Sequence, residues 1–185
     1  MFKNNKKMKA TLSAIMVAAA MFFGAANSQA QSQFRKGDVG INLDYALGSD
    51  GYSNGATNGF SIMGEYGFMN VINEKGTISA GLLLGAGFNS GDFYDFSRVR
   101  IGTRGALHYS FIPQLDTYGG LNFLFVDIEK VKWNDGERNT SKDTKFVAPA
   151  IVAGCRYMFC PAFGVNFETT WDRFQHINVG LTFKI

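Results

Sequence analysis

Hydrophobic and polar residues alternate along most of the chain that follows its first thirty residues. In one segment Val39, Ile41 and Leu43 fall on one face, whereas Asn42 and Asp44 fall on the other. Alternation with a period of two is typical of β-strands with two different faces. A slip of one residue would move every charge to the apolar face, so the strand register is well specified.

Eight such segments are separated by polar turns. They are Asp38–Leu47, Gly59–Phe68, Thr77–Asn89, Phe96–Phe111, Thr117–Glu129, Lys145–Phe159, Ala162–Thr170 and Gln175–Ile185. Most are longer than the mean strand of about five or six residues and match the roughly 9–11 that cross a bilayer at a tilt. An even number of strands lets the sheet close with its ends adjacent. We therefore predict an all-β fold, an eight-stranded antiparallel up-and-down transmembrane β-barrel.

Two segments depart from this alternation. Val126 and Ile128 lie in phase with Asn122 rather than with Phe123. A bulge, or a strand that runs above the membrane, would account for the change. Pro149 removes one hydrogen-bond donor from the sixth segment, and the pattern alone does not explain it.

The first thirty residues have the organisation of a secretory signal. Four lysines precede the apolar stretch Ala14–Phe23, which is too short to cross a bilayer of about 30 Å as a mature helix. Small residues in Ser28–Ala30 predict cleavage after Ala30, with Gly24–Ala26 as the alternative site. The predicted organisation is a leader at residues 1–30 and a barrel domain at residues 31–185.

The charge balance changes once the leader is set aside. The 18 Lys and Arg residues, less the four leader lysines, leave 14 against 15 acidic residues, a net charge of −1. The basic character therefore belongs to the leader and gives no support for nucleic-acid binding. Eighteen Phe, seven Tyr and only three Pro favour strands.

The polar face is expected to line the interior. A barrel of eight strands is just wide enough to be filled by its own side chains, and acids can pair with arginines across it. The predicted lumen ion-pair network comprises Asp38, Asp44, Glu65, Arg98, Arg100, Arg104, Arg156, Glu168 and Lys184. It predicts a plugged interior rather than a pore. The alternative for Arg98, Arg100 and Arg104 is an anion site.

Aromatic residues gather at one predicted rim, as they do where a barrel wall meets the membrane interface. The predicted periplasmic girdle is Tyr66, Phe68, Tyr109, Phe111, Tyr157, Phe159, Phe163 and Phe183. Long and short connections alternate, which places both termini in the periplasm and the longest loop, Lys130–Thr144, outside the cell. That loop could contact host surfaces or lipopolysaccharide, or simply be solvated.

The chain resembles the small outer-membrane β-barrel family typified by OmpA- and OmpX-like proteins, within the porin-like superfamily. The resemblance covers Gln31 to Ile185 and is carried by the eight segments, by Tyr118–Leu121, and by the last strand Asn178–Ile185. It implies residence in the outer membrane, contact with lipid and lipopolysaccharide, and recognition by the barrel-assembly machinery. Family members commonly end in a terminal aromatic residue, whereas Phe183 stands two places before the end here. We also expect a monomer.

Candidate chemistry is sparse. His108 and Ser110 have the spacing of the His and Ser of outer-membrane lipid A deacylases, but both are expected to face inward near the periplasmic end. The other histidine, His176, belongs to no Cys/His cluster with ligand spacing, so no metal or cofactor is predicted. The spacing of Cys155 and Cys160 argues against a disulfide.

These observations predict a non-enzymatic barrel with a structural or surface-interaction role and no catalytic residues. Three alternatives remain at this point: an enzyme that modifies lipid A, a soluble periplasmic ligand-binding barrel of lipocalin type, and a narrow channel. In the lipocalin alternative the apolar face would point inward and the charged face would meet water.

Overall fold

A closed antiparallel sheet forms the molecule, as the computed structural model shows for residues 33–49, 56–72, 75–90, 94–134, 137–171 and 175–185. Its strands are β1 (Val39–Ser49), β2 (Ala56–Val71), β3 (Gly76–Ser90), β4 (Tyr94–Ile112), β5 (Leu115–Asn134), β6 (Glu137–Cys160), β7 (Phe163–Trp171) and β8 (Gln175–Lys184). Each strand pairs with its neighbours in sequence, and β1 pairs with β8. The predicted eight-stranded up-and-down barrel is confirmed.

The predicted leader, residues 1–30, lies outside the described residues. Within the described residues there is no helix that is long and apolar enough to cross a membrane. We call the end where β1 begins and β8 ends the near end of the barrel, and the opposite end the far end.

The wall is uneven in height because the strands differ in length. β7 and β8 have 9 and 10 residues, whereas β5 and β6 have 20 and 24. The expectation of a long loop over Lys130–Thr144 is therefore wrong: β5 continues to Asn134, and β6 begins at Glu137. Over this stretch Val131 is the one apolar side chain that the described residues show as buried, so hydrophobic alternation did not reveal these strands.

A bulge in β6 explains Pro149. Opposite Asn122 and Leu124 of β5, the register of β6 passes from Ala150 to Val147, which leaves an extra residue in β6. Phe146 consequently faces outward while Ala150 faces inward, although both have even numbers. Proline is tolerated at bulges because a bulged residue need not donate to the ladder.

The alternation of β5 itself is unbroken. Asn122, Leu124, Val126 and Ile128 are all buried inside the barrel, and Phe123 faces outward. The predicted bulge is therefore not found between Asn122 and Ile128 of β5, whereas the other predicted cause, a strand that runs above the membrane, stays a prediction. The residue type that points inward changes from polar to apolar part of the way along the strand.

The barrel is inside out compared with a soluble protein. Large apolar side chains such as Leu82, Val99 and Ile101 lie exposed on its outer surface. Charged side chains such as Glu65 and Arg104 are buried within it. This arrangement is suited to a lipid environment, in which the outer surface must be apolar and the backbone fully paired.

Arginine placed on the outer face should reveal that environment. Leu82, near the middle of β3, is 68% exposed, and Leu47, near the far end of β1, is 44% exposed. We expect Leu82→Arg to lower the free energy of unfolding in lipid vesicles by about 2–4 kcal/mol, and Leu47→Arg by about 0–1 kcal/mol. Guanidinium unfolding in vesicles measures both; equal effects would contradict a membrane-spanning wall.

Candidate functional site

The strongest concentration of polar chemistry is a cluster of buried ionic side chains in the near-end half of the lumen. Its first centre is a two-point ion pair between β4 and β7. Nη1 of Arg104 donates to Oε2 of Glu168 at 2.6 Å, and Nη2 donates to Oε1 at 2.8 Å. Nε of Arg104 donates to Oδ1 of Asn122 at 2.8 Å. Charge-assisted bonds of this geometry are among the strongest that side chains make.

The carboxylate of Glu168 receives further donors. The hydroxyl of Tyr118 donates to Oε2 at 2.9 Å, and Nδ2 of Asn178 donates to Oε1 at 2.9 Å. A buried ion pair is tolerated only when its remaining polar atoms are also satisfied. These further donors come from two other strands, β5 and β8.

The second centre is built around Glu65 of β2. Arg156 of β6 donates to one of its oxygens, and Nη1 of Arg156 also lies 3.5 Å from Oδ2 of Asp116. The ring of Tyr118 lies between the two centres, 4.8 Å from Cζ of Arg156 and 5.9 Å from Cζ of Arg104. The two ion pairs are therefore parts of one cluster, joined through an aromatic ring.

His108 completes the second centre in an arrangement like that of a Ser-His-Asp triad. Its Nδ1 lies 2.9 Å from Oδ2 of Asp116, and its Nε2 lies 3.0 Å from Oγ of Ser79. A nucleophilic serine would need to give its proton to this histidine. However, Oγ of Ser79 donates to Glu65 at 3.2 Å, and the same carboxylate lies 3.3 Å from Nε2 of His108.

The position of this arrangement also argues against hydrolysis. Ser79 and His108 are fully buried. A cavity at the near-end mouth that touches Asp116 and Arg156 has a volume of about 10 Å³, about enough for one water molecule. A substrate has no room here, so the three residues are best understood as part of the buried polar cluster.

The predicted network residues do not all lie in this cluster. Glu65, Arg104, Arg156 and Glu168 are its ion pairs. Asp44 is buried beside it and accepts a 2.7 Å hydrogen bond from Nδ2 of Asn166. The structure thus brings five of the nine predicted residues close together in the lumen.

The remaining four predicted residues lie elsewhere. Lys184 and Asp38 form a 3.5 Å pair at the near-end rim, where both are partly exposed. Arg98 and Arg100 are buried toward the far end, in register with Ile128 and Val126. The donors of Arg104 are already used by Glu168 and Asn122, which leaves little support for an anion site formed by the three arginines.

Glycine makes room for these arginines. Three inward glycines of β3 each lie opposite an inward arginine of β4. The pairs are Gly81 with Arg104, Gly85 with Arg100, and Gly87 with Arg98. A Cβ atom at position 87 would lie only 2.6 Å from Nε of Arg98. A side chain at position 85 or 87 would therefore displace the guanidinium of Arg100 or Arg98, whereas one at position 81 would collide with residues of β2.

Sequence reasoning missed several members of the cluster. They are Ser79, Asp116, Tyr118, Asn122, Asn166 and Asn178. All occupy inward positions of their strands, so parity would have found them. Tyr118 is the least obvious, because an aromatic residue on the polar face looks like an exception to the alternation.

An apolar layer lies on the far side of the ionic cluster. It consists of Met63, Leu83, Leu124, Val126, Ile128 and Ala150. Along β2, β5 and β6 these residues are farther from the near end than Glu65, Tyr118 and Arg156. The lumen therefore contains two different fillings, one ionic and one apolar.

The aromatic residues predicted as a girdle lie at the near end of the barrel. Several contact one another: the ring centroids of Phe159 and Phe163 are 6.0 Å apart, and those of Phe163 and Phe183 are 5.4 Å apart. Phe111 is 70% exposed. Contact of this group with a membrane interface stays a prediction.

In the part of the chain that the structure describes, no group of three or more His, Cys, Asp and Glu residues could hold a metal ion. Cys155 and Cys160 are free thiols. Ser110, like His108, is buried inside the wall, which is the wrong face for attack on a lipid.

Comparison with known proteins gives a family and a fold. The family model described as an outer membrane protein beta-barrel domain matches residues 15–180. No curated protein matches the chain by sequence. Among solved structures, the attachment invasion locus protein Ail of Yersinia pestis is 15% identical, with a TM-score of 0.52 over 81% of this chain and 99% of Ail.

Two further structures are similar. Ail in complex with the heparin analogue sucrose octasulfate is 17% identical, with a TM-score of 0.51 over 81% of this chain and 99% of that one. Neisserial surface protein A is 14% identical, with a TM-score of 0.49 over 80% of this chain and 95% of that one. At such identities the likeness to Ail shows the fold alone.

Removal of one charge from the first centre should be costly. Glu168→Gln leaves Arg104 buried without its counter-charge, so we expect the free energy of unfolding to fall by about 3–5 kcal/mol. The control is Glu129→Gln, which breaks a 3.6 Å pair with Lys142 on the surface and should cost at most about 1 kcal/mol. Denaturant unfolding of both variants tests this, and a cost at position 168 no larger than at 129 would argue against the pairing.

Proposed function

This chain belongs to the outer-membrane protein β-barrel domain family and resides in the bacterial outer membrane, and from this premise we propose that it has a structural or surface-interaction role, with a lumen filled by side chains rather than open as a pore. The observation that carries the proposal is the double filling of the lumen. We infer no catalytic function and no cofactor for it.

The ionic cluster supports the closed lumen on the near side. Arg104 with Glu168, and Arg156 with Glu65, join strands on opposite parts of the wall. An ion that passed through would have to displace these charge-assisted bonds. Because a buried charge that loses its partner costs several kcal/mol, such displacement is unfavourable.

The apolar layer supports the closed lumen independently. Val126 is 0% exposed, and Leu124 and Ile128 are fully buried beside it. These apolar side chains offer an ion no replacement for its hydration shell, and the charges at the same level are those of the buried Arg98 and Arg100, which repel a cation. Opening the lumen would require both fillings to move.

The uneven wall supports a surface role. Beyond the outward pair Phe125 and Phe146, whose ring centroids are 4.9 Å apart, β5 and β6 continue as a paired ribbon of residues 126–134 and 137–145, and β4 stays paired with β5 as far as Lys132. Its outward side chains there include Asp127, Lys142 and Thr144, all exposed. The change from aromatic to charged residues is what the edge of a membrane would require.

One edge of the ribbon is open. β6 pairs with β7 only from Ile151 to Cys160, so among the described residues its portion from Glu137 to Ala150 pairs with β5 alone. The other backbone groups of this portion can be paired by water or by an extended segment of another protein. The open edge thus favours a protein surface as the partner of the ribbon.

The charges on the ribbon give less support to a polyanion. The structure of Ail has been solved with the heparin analogue sucrose octasulfate, so a polyanion is the other partner to consider for the ribbon. Here Lys142 lies 3.6 Å from Glu129 and Lys145 lies 3.2 Å from Asp143. Positive charge on these described side chains is balanced by neighbouring carboxylates.

The alternative functions considered from the sequence fit the directions of the side chains less well. A lipocalin-type barrel would place Val99 and Ile101 inside and Arg100 in water, whereas the structure has the reverse. A lipid A-modifying enzyme would need His108 and Ser110 on the outer face. For biogenesis we propose cleavage of the leader after Ala30 and insertion by the barrel-assembly machinery, and for the mature protein a monomer surrounded by lipid and lipopolysaccharide.

Electrical recording tests the closed lumen. In planar bilayers we expect the wild-type protein to give no steady conductance, and Glu65→Ala and Arg98→Ala to give brief openings as the filling is loosened. Glu129→Ala, which removes an exposed carboxylate, should behave like the wild type. A robust steady conductance of the wild-type protein would overturn the proposal.

Chemical labelling of intact cells tests the surface display. In a variant that lacks Cys155 and Cys160, Ser141→Cys should react with a membrane-impermeant maleimide, because Ser141 is exposed on the far-end ribbon. Lys75→Cys, exposed in the near-end turn between β2 and β3, should react only after the outer membrane is permeabilised. The opposite pattern would invert the proposed orientation.

A further inference from the structure

The segment before the first strand, residues 33–38, enters the near-end mouth of the barrel. Phe34 is only 3% exposed. Its ring centroid lies 4.6 Å from that of His108 and 5.6 Å from Cζ of Arg156. A Cβ on Gly40 would lie 3.3 Å from its ring, so glycine at this position makes space for the ring. Phe34 therefore covers the second ionic centre from the near side.

The backbone of the segment is fastened to three strands. Oγ1 of Thr77 in β3 donates to the carbonyl of Phe34 at 2.8 Å. The amide of Gly37 donates to the carbonyl of Gly67 in β2 at 2.8 Å. Nζ of Lys184 in β8 donates to the carbonyl of Gln33 at 3.0 Å. The segment is thus connected to both sides of β1.

These contacts bridge the seam between β1 and β8. Among the strands that the structure describes, this seam is the one pair whose partners are not consecutive in the chain. Its hydrogen bonds join residues such as Thr182 and Asn42, which are 140 positions apart in the sequence. Pairing over such a separation carries the largest loop-closure cost of any strand pair here. The seam is therefore where an eight-stranded barrel is easiest to open.

The end of the seam lies directly beside the segment. Val39 and Ile185 exchange backbone hydrogen bonds of 2.9 Å in both directions. The next residue of β8, Lys184, contacts both Gln33 and Asp38. If residues 33–38 stay on β2 and β3, separation of β1 from β8 at the near end must therefore break the contacts of Gln33 and Asp38 with Lys184 as well.

We propose that residues 33–38 act as a latch, which holds β1 against β8 at the near end and closes the near-end mouth. The buried ring of Phe34 is its central contact. The latch is a conformational device, because it adds to the seam contacts that no strand pair provides. Its removal allows the seam to open locally while the other strand pairs remain joined. Water then reaches His108 and Glu65 from the near end.

Hydrogen exchange of the barrel in lipid nanodiscs tests the latch at the level of individual strands. In Phe34→Ala we expect amide exchange at the near end of β1 and β8 to rise by about tenfold or more, with little change in the middle of β4 and β5. The matched control is Phe111→Ala, the same truncation at the same end but on the outer face, which should leave the seam protected.

A second measurement covers variants that fold poorly. Phe34→Leu keeps most of the apolar volume and should show the same seam-specific rise at smaller amplitude. Lys184→Ala removes the contact of β8 with the segment, so its effect and that of Phe34→Ala should be less than additive in a double variant. Full additivity, a uniform rise over all strands, or an unchanged seam in Phe34→Ala would each overturn the latch.

Discussion

A charged side chain inside this barrel is buried away from bulk water, and that constraint determines most of the contacts in the lumen. Antiparallel closure leaves no free edge within the wall, and the pleat sends every second side chain inward. Arg104 and Arg156 therefore need carboxylates within reach, and Glu168 and Glu65 supply them from other strands. The position of each such pair also fixes how the strands that carry it are aligned.

The same constraint shapes the residues around the pairs. The guanidinium of Arg98 fits because position 87 on the neighbouring strand is glycine. Amide and hydroxyl groups, such as those of Asn178 and Tyr118, complete the hydrogen bonding of Glu168. Farther along the lumen, Leu124 and Val126 fill space by apolar packing, beside Arg98 and Arg100, which are buried at the same level. Two ways of filling a narrow tube are combined in one lumen.

Much of this architecture could be read from the sequence because both faces of each strand have a strict chemical identity. The eight segments, the inward direction of Glu65 and Arg104, and the outward direction of Val99 and Ile101 all follow from parity. Pairing partners did not follow, since parity says that Glu168 points inward but not that it meets Arg104, 64 positions away.

Elements with few buried apolar side chains were the other difficulty. The paired residues from Lys130 to Thr144 lacked hydrophobic alternation, so they resembled a loop. Phe34 lies before the first periodic segment, so nothing in the periodicity indicated that its ring enters the barrel. Both features depend on contacts made by the completed sheet, which a pattern within one segment does not contain.

The ribbon formed by β5 and β6 has a consequence for how this protein can diversify. From Asn139 to Thr144 its described side chains are all exposed, and its strands are held by backbone bonds that do not depend on side-chain identity. Substitutions there are nearly free of the packing and pairing demands made on the lumen. Descendants of this chain can thus acquire new outer surfaces by drift along one strand pair, while the tube beneath them is inherited almost unchanged.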